Sequence, residues 1–292
     1  MTDLIYVLED LKPRPGSAAE QQAELAPVVT TSVAFSPRGV RGKAERGDGL
    51  VVEGCDVVTP KNRCLAKGLS FIVEPANSVV GNLAVTGPSG CGKTALCRVL
   101  SGLWPLPKGS ITLPAGPEGA VELHVVAQQP LVPTTSVSLR DFVTYPDVVD
   151  DWDAAEPGIR ADLRALRVGG IVDREGWGSV EPWHERLSLG EQQALAIVRL
   201  LQRKPAPRFV VLDECLSGVG DETVRAVFEI FAARHIRAIA VAQTINAAAA
   251  PFMAQELRMG ESTPTGWSLG PLGRVASAAA LDGDSGADVV AG

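Results

Sequence analysis

The chain has 292 residues, is 46% hydrophobic, and carries 27 basic against 34 acidic residues for a formal charge of −7. That is enough material for one large domain or two small ones, and the acidic balance argues against a nucleic-acid partner, whose phosphates call for a basic face. The 5 cysteines, Cys55, Cys64, Cys91, Cys97 and Cys215, form no CxxC pair, and the 3 histidines are scattered, which argues against a disulfide framework or a zinc site and fits a reducing compartment.

Residues 1–12 place Leu4, Val7, Leu8 and Leu11 at helical spacing. Residues 13–48 are rich in Pro, Gly, Ser and Ala, so 1–48 read as an N-terminal extension and linker. The first residues lack the basic start of a secretory signal. A domain is predicted over 49–272. Leu50–Val52, Leu69–Val73 and Leu83–Val85 read as strands. Leu96, Val99, Leu100 and Leu103 share one helical face over 93–103. Further strands are predicted at Leu123–Val126, Phe209–Leu212 and Ile239–Val241, with helical stripes at Ala194, Ile197, Val198, Leu201 and at Val224, Val227, Phe228, Phe231. This alternation predicts an α/β fold with a parallel sheet. The polar, helical stretch after residue 131 reads as an inserted subdomain, assigned to 131–203. Residues 273–292 are small and acidic and read as a disordered tail. The alanine-rich stretch 238–254 is interrupted by Gln243, Thr244, Asn246 and Pro251. No apolar run is long enough for a membrane helix, so the polypeptide is expected to be soluble or held to a membrane by something else.

Gly87-Pro88-Ser89-Gly90-Cys91-Gly92-Lys93-Thr94 matches GxxxxGK[ST], between an apolar strand and an amphipathic helix. Such a loop wraps phosphates with inward-facing backbone N–H groups, and glycines permit the close approach. The helix that follows presents its positive end. Lys93 is expected on the β- and γ-phosphates and Thr94 on Mg²⁺. Downstream, Phe209-Val210-Val211-Leu212-Asp213-Glu214 is an apolar run ending in two carboxylates. Asp213 is expected to hold Mg²⁺ through water and Glu214 to orient or deprotonate the attacking water. The residues alone thus predict a P-loop nucleotide hydrolase, with ATP and Mg²⁺ as ligands.

Leu187-Ser188-Leu189-Gly190-Glu191 precedes a helical stripe and lies upstream of Asp213; it resembles the LSGGQ signature of ABC ATPases. Val125-Val126-Ala127-Gln128-Gln129-Pro130 is similar to their Q-loop. Arg98-Val99-Leu100-Ser101-Gly102-Leu103-Trp104-Pro105, Ser138-Leu139-Arg140-Asp141, Arg174-Glu175-Gly176-Trp177 and Leu212-Asp213-Glu214-Cys215 resemble the peroxisomal fatty-acid half-transporters of subfamily D. The resemblance implies a RecA-like parallel core, an inserted helical subdomain and an N-terminal antiparallel β part. It also implies a second ABC nucleotide-binding domain as partner, in a homo- or heterodimer, and a membrane-spanning domain in another chain or outside this sequence. The implied place is the cytosolic face of a membrane, the peroxisomal one. ATP would be shared between the phosphate loop of one domain and the signature of the other, so Ser188 and Gly190 would act on the partner's nucleotide. Gln128 would sense the γ-phosphate and help hold Mg²⁺.

Three positions depart from the family pattern. Leu189 stands where the signature has glycine. Gln243 stands where the switch histidine is expected; it can donate a hydrogen bond but carries no charge. The segment 58–66 has no aromatic to stack on adenine. ATP binding is therefore expected with slow or partner-dependent hydrolysis, in which Glu214, Gln128 and Gln243 are the catalytic candidates. The alternatives are a soluble ABC regulator and a catalytically degenerate structural partner.

Overall fold

The computed structural model describes residues 43–76, 81–114, 123–130, 132–133 and 136–272. The predicted helix at 1–12, most of the linker and the tail at 273–292 lie outside the described residues.

The chain builds two sheets. In the first, β2 (Leu50–Val58) pairs antiparallel with β3 (Cys64–Val73) and with β5 (Ser110–Pro114). The strand β1 (Lys43–Gly47) adds to the edge of this sheet by pairing parallel with β5. Ordered structure therefore starts before the boundary predicted at 49. Lys-Ala-Glu-Arg-Gly has no apolar alternation to betray a strand; main-chain pairing at a sheet edge places it.

The second sheet has the order β12-β11-β4-β10-β9-β6. Its strands are β4 (Asn82–Thr86), β6 (Leu123–Val126), β9 (Phe209–Asp213), β10 (Arg237–Val241), β11 (Met253–Met259) and β12 (Trp267–Pro271). The first five run parallel; β12 returns antiparallel on β11. Every residue of β4 and β9 is buried, as expected for strands covered on both faces. Side chains alternate across the sheet. Leu83, Val85, Phe209, Val211, Ile239 and Val241 enter the core shared with the first sheet and with helix α1 (Lys93–Leu100). Ala84, Val210, Leu212, Ala238 and Ala240 enter the opposite core, against the remaining helices.

Those helices are α2 (Leu139–Thr144), α3 (Trp152–Ala165), α4 (Gly170–Glu175), α5 (Trp183–Arg186), α6 (Leu189–Leu201) and α7 (Asp221–Ala233). The helices α2–α6 fall within the segment assigned to an insertion, with the short pair β7 (Val137–Ser138) and β8 (Val180–Glu181) clasping it. Trp183 is fully buried there, and its indole N–H donates to the Val137 carbonyl at 2.8 Å. Trp177 donates to Glu156 at 2.9 Å and meets Trp152 edge-on at 4.9 Å. Both act as packing anchors. The acidic run 147–156 is partly ion-paired. Asp147 takes Arg203 at 3.0 Å, and Glu156 takes Arg160 at 2.6 Å.

The register brings the carboxyl ends of the parallel strands to one edge. Val241 pairs with Asp213 and with Val85, Val126 with Leu212, and Arg258 with Thr86. Ligand crevices of open α/β sheets form beyond that edge, and the predicted site residues follow these strands.

Candidate nucleotide site and signature helix

Gly87 leaves β4 with φ 141°. A Cβ there would lie 2.3 Å from the Met259 carbonyl oxygen, so no other residue fits. Gly92 caps α1 in the left-handed region, φ 118°, and a Cβ there would press on Leu65 at 3.0 Å. The loop is thus pinned from two sides and delivered onto the first turn of α1. Lys93 opens that helix and is 5% exposed. Its ammonium donates to the carbonyls of Gly87 at 2.8 Å and Pro88 at 3.2 Å, and stands 3.5 Å from the Glu214 carboxylate. The Thr94 hydroxyl donates to Asp213 Oδ1 at 3.5 Å.

Asp213 ends β9 and is buried. Burial lifts its carboxyl above the usual carboxylate range; the Thr94 hydrogen bond opposes this and the neighbouring Glu214 charge adds to it. Glu214 adopts φ 50°, uncommon for a non-glycine residue, and its amide donates to the Val241 carbonyl at 2.9 Å. Such a backbone costs of order 1 kcal/mol and is held only where surroundings fix it. Here it turns the carboxylate toward Lys93.

Gln128 and Gln243 follow β6 and β10 and are exposed. The backbone of Gln243 is tied to the loop 87–94, and that of Gln128 to a side chain of α6. The Gln243 carbonyl accepts the Gly87 amide at 3.2 Å, and the Gln128 carbonyl accepts the Gln193 side-chain amide at 3.3 Å.

The signature segment sits elsewhere. Leu187 is buried, and Ser188 caps α6 in a capping box with Glu191, the two satisfying each other's backbone amides. Leu189 is 50% exposed. A Cβ on Gly190 would lie 2.5 Å from the Gly218 carbonyl oxygen, so the first turn of α6 packs directly on the loop after Glu214. Among the described residues, no hydrogen bond of Leu187–Glu191 reaches residues 87–94.

Lys93, Thr94, Asp213 and Glu214 therefore converge, and Gln128 and Gln243 follow the neighbouring strands β6 and β10. The segment 58–66 does hold an apolar residue at the loop: Leu65 touches Gly92, and beside it Trp267 donates to the Lys67 carbonyl at 2.8 Å. Reading the sequence missed Gln193, which is fully buried. Its signal was a polar residue directly before the stripe Ala194, Ile197, Val198. Among the described residues, no group of His, Cys, Asp and Glu forms a separate metal cluster, and no helix is long and apolar enough to cross a membrane.

Residues 67–217 match the family model described as ABC transporter. The chain belongs to this family. Curated relatives of this ABC domain are members of sub-family D, in line with the resemblance carried by its motifs. It is 34% identical over 184 residues to "ATP-binding cassette sub-family D member 1" of Drosophila melanogaster, covering 62% of this chain and 23% of that protein. With "ATP-binding cassette sub-family D member 3" of Rattus norvegicus it shares 35% over 205 residues, covering 65% and 29%. With the Mus musculus member 3 it shares 39% over 167 residues, covering 56% and 24%. The ABC domain thus spans roughly a quarter of the length of these relatives. Among solved structures, "a bacterial Atm1-family ABC exporter with ATP bound" superposes with a TM-score of 0.58 at 20% identity, covering 75% of this chain and 39% of that one. That likeness supports the α/β P-loop fold of the ABC domain, with its mixed sheet and antiparallel N-terminal part.

Proposed function

We propose that the chain binds MgATP in the loop 87–94 and hydrolyses it slowly, as the ATP-driving domain of a sub-family D-type transporter. The convergence of Lys93, Thr94, Asp213 and Glu214 on that loop carries the reading. The donor set fits a magnesium nucleotide. Thr94 and Asp213 offer hard oxygens, the right chemistry for Mg²⁺, and backbone amides at the start of α1 suit phosphate. Magnesium, when bound, neutralises charge on the phosphate oxygens.

Lys93 exchanges its loop carbonyls for phosphate oxygens, a charge-assisted contact worth about 1.5–3 kcal/mol. Glu214 accepts the proton of the attacking water, and Gln128 orients that water. Gln243 donates a hydrogen bond without charge. Ser188 and Gly190 serve the nucleotide of a second ABC domain, and Leu189 hinders the close backbone approach that glycine would permit. Turnover is therefore slow, or depends on a partner with a glycine at that position. The membrane-spanning domain, a fatty-acid or acyl-CoA cargo and the cytosolic face of the peroxisomal membrane follow from the sub-family D likeness.

The test is phosphate release by purified chain beside MgATP binding. Wild type is expected to bind and release slowly, and Glu214→Gln to bind and release nothing. Equal release by both would remove Glu214 from the mechanism. Leu189 also favours a second reading, a structural partner without turnover; binding with no release from wild type would select it.

A further inference from the structure

Gln193 is the one glutamine of α6 that is wholly enclosed among the described residues, and it is hydrogen-bonded at both ends of its amide. Its NH₂ donates to the Gln128 carbonyl at 3.3 Å and reaches the Ser217 hydroxyl at 3.5 Å. Its oxygen accepts the Gly218 amide at 2.8 Å. One side chain therefore joins the Q-loop backbone, the loop after Glu214 and the signature helix. Gly218 leaves room for this junction. A Cβ on Gly218 would lie 2.9 Å from the Gln193 oxygen and 3.2 Å from Leu189 Cγ. Gly218 has no left-handed φ, so space, not backbone conformation, excludes a side chain. Leu189, the bulky residue in the signature, leans over this same glycine.

We propose that Gln193 is a positioning residue that couples the two half-sites of this chain. Nucleotide held at 87–94 meets Gln128 and Glu214; their loops are bonded to Gln193; and Gln193 fixes the first turn of α6, which presents Ser188, Leu189 and Gly190 to a partner's nucleotide. Occupancy of the chain's own site thereby sets the pose of the signature it offers to the neighbour. A buried amide satisfied at both ends suits this role, because moving either loop alone strands a polar group away from water. Gly218 is the space that lets Leu189 and Gln193 coexist. The kinetic arm of the proposal rests on the ATPase reading above.

The test compares wild type with Gln193→Met, Gly218→Ala and the double variant in the full chain. Amide exchange is read at Gly218 and across 188–192, with and without MgATP, beside MgATP affinity and the single-turnover rate. In wild type MgATP is expected to slow exchange across 188–192 at least about fivefold. Each single variant is expected to lose that response, keep MgATP affinity within about twofold, and lose at least about tenfold in rate. The double variant is expected to be no worse than the weaker single one, because both break one junction. An undiminished response in either folded variant, equal losses in affinity and rate, or losses that add in the double variant would overturn the proposal. If wild type binds no MgATP, the ATP reading fails by itself. The nucleotide-free exchange then decides the tether: Gln193→Met must speed exchange at 188–192 as well as at Gly218, and unchanged exchange at 188–192 overturns it.

Discussion

The amide of Gly87 donates to the carbonyl of Gln243 at 3.2 Å, while the Ala242 amide donates to Val85 at 3.0 Å. The loop after β4 and the loop after β10 are thus joined through main chain. The side chain of Gln243 is exposed and takes no part in that joint. Its identity can change without disturbing the loop.

Gln243→His is therefore expected to leave MgATP affinity unchanged and to raise turnover at least about tenfold, because imidazolium adds the charge that glutamine lacks. Steady-state phosphate release and nucleotide titration measure the two quantities. No gain, alone or beside a partner domain with an intact signature, would mean that the residue at 243 does not limit turnover.

Leu189 makes the companion prediction. It is half exposed at the first position of α6, so Leu189→Gly is expected to cost under about 1 kcal/mol of stability. Removing the side chain opens the signature to close backbone approach. In a Glu214→Gln background, which is expected to bind ATP without hydrolysing it, MgATP-driven self-association is expected to tighten at least about tenfold. Sedimentation velocity reads it; unchanged association with Leu or Gly would mean that the side chain is no obstacle.

Most of the fold was legible because its signals are local. The buried runs 83–85, 209–212 and 239–241 are short, apolar and punctuated by turns, as parallel strands must be. Lys93, Asp213 and Glu214 were legible for the same reason: each follows such a run in the spacing that phosphate chemistry requires. Two features were not. The edge strand at Lys43–Gly47 is placed by pairing with residues 110–114, far along the chain. The role of Gln193 depends on Gln128 and Gly218, which reach it only in three dimensions. Glu214 is legible as the residue that orients or deprotonates the attacking water, but its positive φ, beside its approach to Lys93, belongs to the fold.

His124 predicts a pH dependence of stability. It lies buried in β6, and burial first, then the Arg203 charge, lower its pKa from 6.5 to about 4, with Asp147 opposing. The unfolded chain takes up this proton near 6.5 and the folded chain only near 4. The contribution is therefore complete above pH 6.5 and is lost progressively as pH falls toward 4. Between pH 7 and 5 the loss is expected to be about 2 kcal/mol. Urea unfolding of wild type and His124→Phe checks this, and a slope equal in both would assign the dependence to other groups.

The proposed function requires the loop at 87–94 to grip a magnesium nucleotide through Lys93. Isothermal calorimetry of MgATP into wild type and Lys93→Ala tests it most directly. Saturable binding to wild type is expected, with a loss of roughly 10- to 150-fold in the variant, the equivalent of about 1.5–3 kcal/mol. No heat from wild type, or equal affinity in both chains, would contradict it.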